Sequence, residues 1–227
     1  MTKPANKPLT KSTPNTWEFL RDAMITPTGF REYDARWKYP EEVNLPGITA
    51  LGMGPGTQMH ARGIEPVIAV GNDYRDYSLA IKNALMLGLM QAGIHVKDIG
   101  PAVSPMAYFS QFHLGAPAVA MVTASHNPNG WTGVKMGFER PLTHGPDEMN
   151  ELRDIVLEGR GVAREGGKYE FVDGVQEAYI NDLVGDFKMS RKLRVVCATG
   201  NGSACAFAPE VFERIGVEVV PSHNELD

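Results

Sequence analysis

Apolar residues along this chain gather in short runs closed by glycine or asparagine turns, with helically spaced stretches between them. The run 67–70 ends in Gly71-Asn72-Asp73 and predicts a strand followed by a turn. Residues 78–91 carry Leu79, Ile81, Ala84, Leu85, Leu87 and Leu89 on nearly every helical face. That pattern predicts a buried helix, closed by Gly93 as a left-handed cap. A strand is expected over 94–99, a helix over 105–112 with proline in its first turn, and a strand over 118–122. This last run, Ala118-Val119-Ala120-Met121-Val122, is apolar throughout, as in parallel strands covered on both faces. Residues 134–137 predict a return strand. Residues 146–157 predict a solvent-facing helix with Asp147 and Glu148 at its positive end.

The pattern is weaker before residue 66. Residues 17–24 predict a short helix ended by Thr26-Pro27-Thr28-Gly29, and 39–63 is rich enough in proline and glycine to read as loop with at most one short helix. Residues 1–27 read as a flexible tail, because prolines and asparagines mix with lysines and no apolar signal core appears. The charged, glycine-rich stretch 159–167 reads as a linker. Beyond it a helix (175–187), a strand (193–197), a helix (206–215) and a strand (217–220) are expected, and Ile215-Gly216-Val217-Glu218-Val219 echoes Ala92-Gly93-Ile94-His95-Val96. The expected fold is α/β, with mixed, mostly parallel sheets carrying helices on both faces. It divides into a first domain over 28–165 and part of a similar one over 172–227.

At 227 residues, with 43% hydrophobic and 22% charged residues, the chain can bury an adequate core. A net charge of −5 gives no sign of a nucleic-acid partner, and any anionic ligand must be captured by local cations. No apolar run of about 18 residues predicts a membrane span, so the cytoplasm is the default location. Cys197 and Cys205 make no metal-ligand pattern and read as small core residues. No sequence feature speaks to oligomeric state.

Chemistry concentrates in Thr123-Ala124-Ser125-His126-Asn127-Pro128-Asn129-Gly130, which sets a hydroxyl, an imidazole and a carboxamide side by side just after the most apolar strand. Pro-Asn-Gly forces a turn there, so Ser125 is presented at the carboxyl end of a buried strand, where open α/β sheets place ligands. A Ser-His pair alone is weak. The whole run, followed by Trp131-Thr132-Gly133-Val134-Lys135, resembles the phosphoserine loop of the α-D-phosphohexomutase superfamily, written T-A/G-S-H-N-P and then N/T-G-x-K. Phe30-Arg31-Glu32-Tyr33-Asp34-Ala35-Arg36 is similar to the family's F-R-x-Y-D-I-R-G opening, with Ala35 and Trp37 standing where Ile and Gly are usual. Val70-Gly71-Asn72-Asp73-Tyr74-Arg75 resembles its first βα turn, and Gly200-Asn201-Gly202 with Ala208-Pro209 resembles the start of its second domain. The Tyr-Asp opening favours the phosphomannomutase/phosphoglucomutase branch.

That resemblance implies interconversion of hexose 6- and 1-phosphates through a phosphoserine at Ser125 and a bisphosphorylated sugar, with Mg²⁺ as cofactor and a hexose 1,6-bisphosphate as activator. Lys135 would exchange protons with the sugar hydroxyl, His126 would orient phosphate or assist that transfer, and Asn127 would brace the loop. Arg36 would clamp phosphate oxygens and Tyr33 would line the substrate site. Asp73 and Arg75 are expected to stabilise the first βα turn. The metal would meet Ser125 through its phosphate. The family's D-G-D-G-D-R metal loop is not in this sequence, and Asp182, Asp186 and Asp227 have the wrong spacing, so the remaining ligands are expected outside the chain. The implied reading is the N-terminal portion of a mutase, inactive alone. The alternative is a non-catalytic phosphosugar-binding or interaction module derived from one. A dinucleotide-binding βαβ unit is disfavoured because Gly71-Asn72-Asp73 lacks G-x-G-x-x-G spacing.

Overall fold

The computed structural model describes residues 7–226. Its main sheet holds β1 (Ala35–Lys38), β2 (Val67–Asn72), β3 (His95–Pro101), β4 (Ala118–Val122), β5 (Trp131–Gly137) and β6 (Lys168–Phe171), in the order β1-β5-β4-β2-β3-β6. Strands β4, β2, β3 and β6 pair in parallel, while β5 runs antiparallel to both of its neighbours. Alternate residues of β4 divide between two cores. Ala118, Ala120 and Val122 face α2 (Leu45–Ala61), α3 (Ser78–Gln91) and α5 (Pro146–Leu157). Val119 and Met121 face α4 (Ser104–His113) and Val175 at the start of α6 (Val175–Val184). The apolar run at 118–122 thus belongs to a strand buried on both sides, as its sequence indicates.

Several segments depart from expectation. The glycine- and proline-rich stretch forms the 17-residue helix α2. Its N-cap is Asn44, whose Oδ1 accepts from the Gly47 N–H at 2.8 Å and the Met24 N–H at 2.9 Å. The glycines that suggested a loop serve close helix packing. A Cβ on Gly52 would lie 2.2 Å from the Leu85 carbonyl oxygen, and one on Gly88 would lie 2.0 Å from that of Thr49. Within the expected tail, residues 7–27 are ordered by α1 (Trp17–Arg21), a bridge from Leu9 to Met24, and the complete burial of Met24 and Ile25. Residues 1–6 lie outside the described residues. The expected linker is tied down where the Arg164 N–H donates to the Gln91 carbonyl at 2.9 Å, and β6 then extends the first sheet. Helix α3 buries Ile81, Leu85 and Leu89 but leaves Leu79 and Leu87 half exposed. Helix α5 is amphipathic, with Met149, Leu152, Ile155 and Val156 buried.

The second unit is smaller. β7 (Arg194–Ala198) pairs in parallel with β8 (Glu218–Ser222), joined through α7 (Ala208–Arg214). Arg214 ties α7 to α6 by its bond to Glu177 at 2.7 Å. Cys197 is buried in β7 and Cys205 half-buried beside Thr199.

Candidate functional site

Residues 123–130 leave the carboxyl end of β4 at the centre of the sheet. The strand end is pinned by the Asp73 N–H donating to the Val122 carbonyl and the Thr123 N–H donating to that of Gly133, both at 2.9 Å. Ser125 follows with φ +55°, a left-handed conformation that costs a non-glycine residue about 1–3 kcal/mol. The surroundings over-determine it. The Ser125 N–H donates to Thr123 Oγ1 at 2.9 Å, and the Asn127 N–H closes the turn on the Ala124 carbonyl at 3.0 Å. Ser125 itself is exposed.

Two arginines clamp this loop, and each is held by the aspartate two residues before it. Arg36, on β1 and 6% exposed, donates through Nε and Nη2 to Asp34 at 3.0 and 2.8 Å. Its Nη1 reaches the Ala124 carbonyl and, at 2.6 Å, Asn127 Oδ1. Arg75, from the turn after β2, pairs with Asp73 and donates through Nη2 to the carbonyls of Ser125 at 3.1 Å and Asn127 at 2.8 Å. Tyr77 fastens the far end, donating from its hydroxyl to the Trp131 carbonyl at 2.9 Å and accepting from the Gly130 N–H at 3.0 Å.

The geometry gathers most of the expected residues around the loop. Arg36 spends four of its hydrogen bonds on Asp34, Ala124 and Asn127, so it acts here as a brace under the loop. Asn127 Oδ1 accepts from Arg36, which ties the loop to β1. Lys135 lies opposite Met121 on the β4–β5 ladder, and Arg36 lies opposite Gly133 on the β1–β5 ladder. Opposed residues share a face, so Lys135 and Arg36 project from the same side of the sheet, the side α4 covers. The Lys135 side chain forms no ion pair or hydrogen bond among the described residues, and His126 is exposed beside Ser125. Tyr33 stands apart at the tip of the turn in which the Arg31 N–H donates to the Asp34 carbonyl at 2.9 Å, and it is 57% exposed. Sequence reasoning assigned Arg75 only to its own turn. Its reach to the loop had a signal, because Asp73-Tyr74-Arg75 repeats the spacing of Asp34-Ala35-Arg36.

Two cavities flank the serine. One of about 350 Å³ lies between Arg75, Ser125 and Asn129 on one wall and Asn201, Gly202 and Ser203 on the other. A second of about 210 Å³ is lined by Asp73, Arg75, Ser104, Thr123, Ser125 and Ser203. The second unit therefore supplies one wall of the cleft beside the loop. A magnesium ion fits this donor set poorly. No group of three or more His, Cys, Asp or Glu side chains converges among the described residues, and Asp73 and Asp34 are each occupied by an arginine. Asp227 lies outside the described residues.

Residues 27–161 match the family described as phosphoglucomutase/phosphomannomutase, alpha/beta/alpha domain I. A phosphomannomutase/phosphoglucomutase of Pseudomonas putida is 32% identical over 211 residues, covering 92% of this chain and 44% of that protein. A phosphomannomutase of Escherichia coli is 32% identical over 211 residues, covering 88% of this chain and 46% of that protein. The crystal structure of a phosphoglucomutase/phosphomannomutase family protein from Burkholderia thailandensis superposes with a TM-score of 0.82 at 29% identity, over 90% of this chain and 45% of that one. The chain spans about half the length of the curated relatives it matches. With its serine loop built onto the carboxyl edge of a mixed α/β sheet, the chain belongs to the phosphoglucomutase/phosphomannomutase family.

Proposed function

We propose that Ser125 carries the transferring phosphoryl group of a phosphohexomutase whose N-terminal portion is this chain, with 28–165 as its first domain and 172–227 as part of its second. The observation that carries this reading is an exposed serine, held left-handed in a loop clamped by two guanidinium groups, at the rim of a cleft. In the transfer, a hydroxyl oxygen of a hexose monophosphate attacks the phosphoserine phosphorus. The new O–P bond forms as the bond to Ser125 Oγ breaks. The proton released by the sugar passes to Oγ, with Lys135 or His126 as the group that relays it. The bisphosphate then turns over and returns its other phosphate to Ser125, which completes exchange between the 6- and 1-positions. Arg36 and Asn127 hold the loop, and Tyr33 is assigned to the outer rim of the substrate site. A Mg²⁺ ion would gain one oxygen from phosphorylated Ser125 and would take its other ligands from the part of the mutase outside this chain.

A coupled assay of hexose 1-phosphate conversion tests the reading. The longer protein, primed with glucose 1,6-bisphosphate, should turn over and carry phosphate on Ser125 by mass spectrometry. The 227-residue chain alone should show little turnover. Undiminished turnover by Ser125→Ala would exclude the serine, and sugar-phosphate binding without any turnover in the longer protein would favour a binding module.

A further inference from the structure

We propose that Arg75, oriented by Asp73, is a positioning residue that sets the backbone of Ser125 and so aims its hydroxyl into the cleft. The proposal rests on the reading of Ser125 as the phosphoryl carrier. The dihedrals φ and ψ of a residue are fixed by the two peptide planes that flank its Cα. At Ser125 each plane is held by a different arginine. The plane before it carries the Ala124 carbonyl, which accepts from Arg36 Nη1. The plane after it carries the Ser125 carbonyl, which accepts from Arg75 Nη2 at 3.1 Å. The same Nη2 bonds the Asn127 carbonyl at 2.8 Å, so one planar group spans the turn. The first plane keeps its bonds to Thr123 Oγ1 and the Asn127 N–H without an arginine, so loss of Arg75 frees the second plane and lets the strained serine relax toward extended or right-handed backbone.

Arg75 can act this way because it is itself fixed. Its Nη1 pairs with Asp73 Oδ2, and Asp73 is 4% exposed. Asp73 Oδ1 accepts from the Ser78 hydroxyl and from the Arg75 N–H at 3.3 Å. The Asp73 N–H is anchored on β4 through Val122. The relay therefore runs from the first turn of α3 through Asp73 and Arg75 to the loop. Its end lines both cavities beside Ser125.

The test uses the ¹⁵N,¹³C-labelled 227-residue chain and its Arg75→Ala, Arg75→Lys and Asp73→Asn variants. In the wild type, Ser125 Cα and Cβ shifts and its HN–Hα coupling should report positive φ. In Arg75→Ala these should move toward the extended range, and amide exchange at 124–127 should quicken about tenfold or more, as expected for loss of a charge-assisted bond. Resonances of α2 and β4 should stay in place. Arg75→Lys keeps the charge but not the fork, so it should resemble Arg75→Ala, and Asp73→Asn should fall between. Left-handed shifts and unchanged exchange at Ser125 in Arg75→Ala would overturn the proposal. A collapsed spectrum in Arg75→Ala leaves the decision to Arg75→Lys and Asp73→Asn. Uptake of phosphate from labelled glucose 1,6-bisphosphate, measured in the longer protein and its Arg75→Ala variant, separates the two claims. Equal uptake by wild type and Arg75→Ala sinks the positioning role alone. No uptake by the wild type counts against the phosphoserine reading, and the shift data then decide the positioning role by themselves.

Discussion

Lys82 Nζ lies 2.7 Å from Asp98 Oδ1, with the two side chains 2% and 6% exposed. The pair joins α3 to β3 beneath the sheet's carboxyl edge. Asp98 also accepts from the Gly100 N–H at 2.9 Å and from the Tyr169 hydroxyl at 3.2 Å. A buried charge left alone is far costlier than the pair is stabilising. Lys82→Met should therefore cost about 3–5 kcal/mol in denaturant unfolding. Adding Asp98→Asn should recover part of that loss, because the amide oxygen still serves Gly100 and no charge is stranded. A double variant no more stable than Lys82→Met would show that the two charges are not coupled.

Gly88 and Gly52 mark where α3 and α2 touch backbone to backbone. Gly88→Ala would set a methyl carbon 2.0 Å from the Thr49 carbonyl oxygen, where no flexible side chain can yield. The helices must separate, at a cost of about 1–3 kcal/mol or more. A neighbouring substitution on the same helix, Ala80→Ser, faces solvent and should change stability little. Equal thermal midpoints for the two variants would refute the contact.

The same contact explains what the sequence hid. Helix α2 contains Gly47, Gly52, Gly54, Pro55 and Gly56, all poor helix formers, and their spacing carries no helical signal. Tertiary packing overrides propensity there, because the absence of side chains lets α3 and α5 approach. By contrast Ser78–Gln91, Ala118–Val122 and Pro146–Leu157 were legible to the residue, since each is an apolar or helically spaced run set between glycine and proline breakers. At the site, the serine turn could be read from Pro-Asn-Gly. The part Arg75 plays in clamping the loop was carried only by its Asp-x-Arg spacing, shared with Asp34 and Arg36, because the carbonyl it bonds lies 50 residues away. Trp37, which stands where the family usually has glycine, fits because Gly29 lies against its ring: a Cβ there would sit 1.9 Å from the indole nitrogen.

His144 gives the chain an acid sensitivity of known sign. Its ring is 2% exposed, packs edge-on against Phe138, and lies 3.3 Å from Gln58 Oε1. Burial is the main cause that pushes its pKa down from 6.5 to about 4, opposed by the nearby Glu148 carboxylate and reinforced by Arg62. The unfolded chain therefore binds a proton at His144 before the folded one does. Stability from this group is complete above about pH 6.5 and drains as pH falls toward 4, by up to about 3 kcal/mol. His144→Leu should lose stability at pH 7, where Gln58 Oε1 is left without its partner. The difference between wild type and variant should then shrink or reverse between pH 6.5 and 4. A difference that stays constant across that window would mean His144 does not titrate on unfolding.

The backbone of Ser125 makes a further prediction that separates stability from function. A serine at φ +55° carries steric strain between its Cβ and the backbone, and glycine at the same place carries none. Glycine loses more chain entropy on folding, which offsets part of the relief. Because the Ser125 side chain is exposed and accepts no hydrogen bond that holds the loop, nothing else is forfeited. Ser125→Gly should therefore stabilise the fold by about 1 kcal/mol, a rise in midpoint of about 2–4 °C for a chain of this size. Ser125→Ala keeps the strained Cβ and should leave the midpoint within about 1 °C of wild type. Both variants should be unable to accept phosphate. A residue that lowers stability yet is required for transfer is the pattern expected where strain is retained for chemistry. Calorimetry of the three proteins decides it, and a Ser125→Gly midpoint at or below that of Ser125→Ala would show that the loop imposes no strain on its serine.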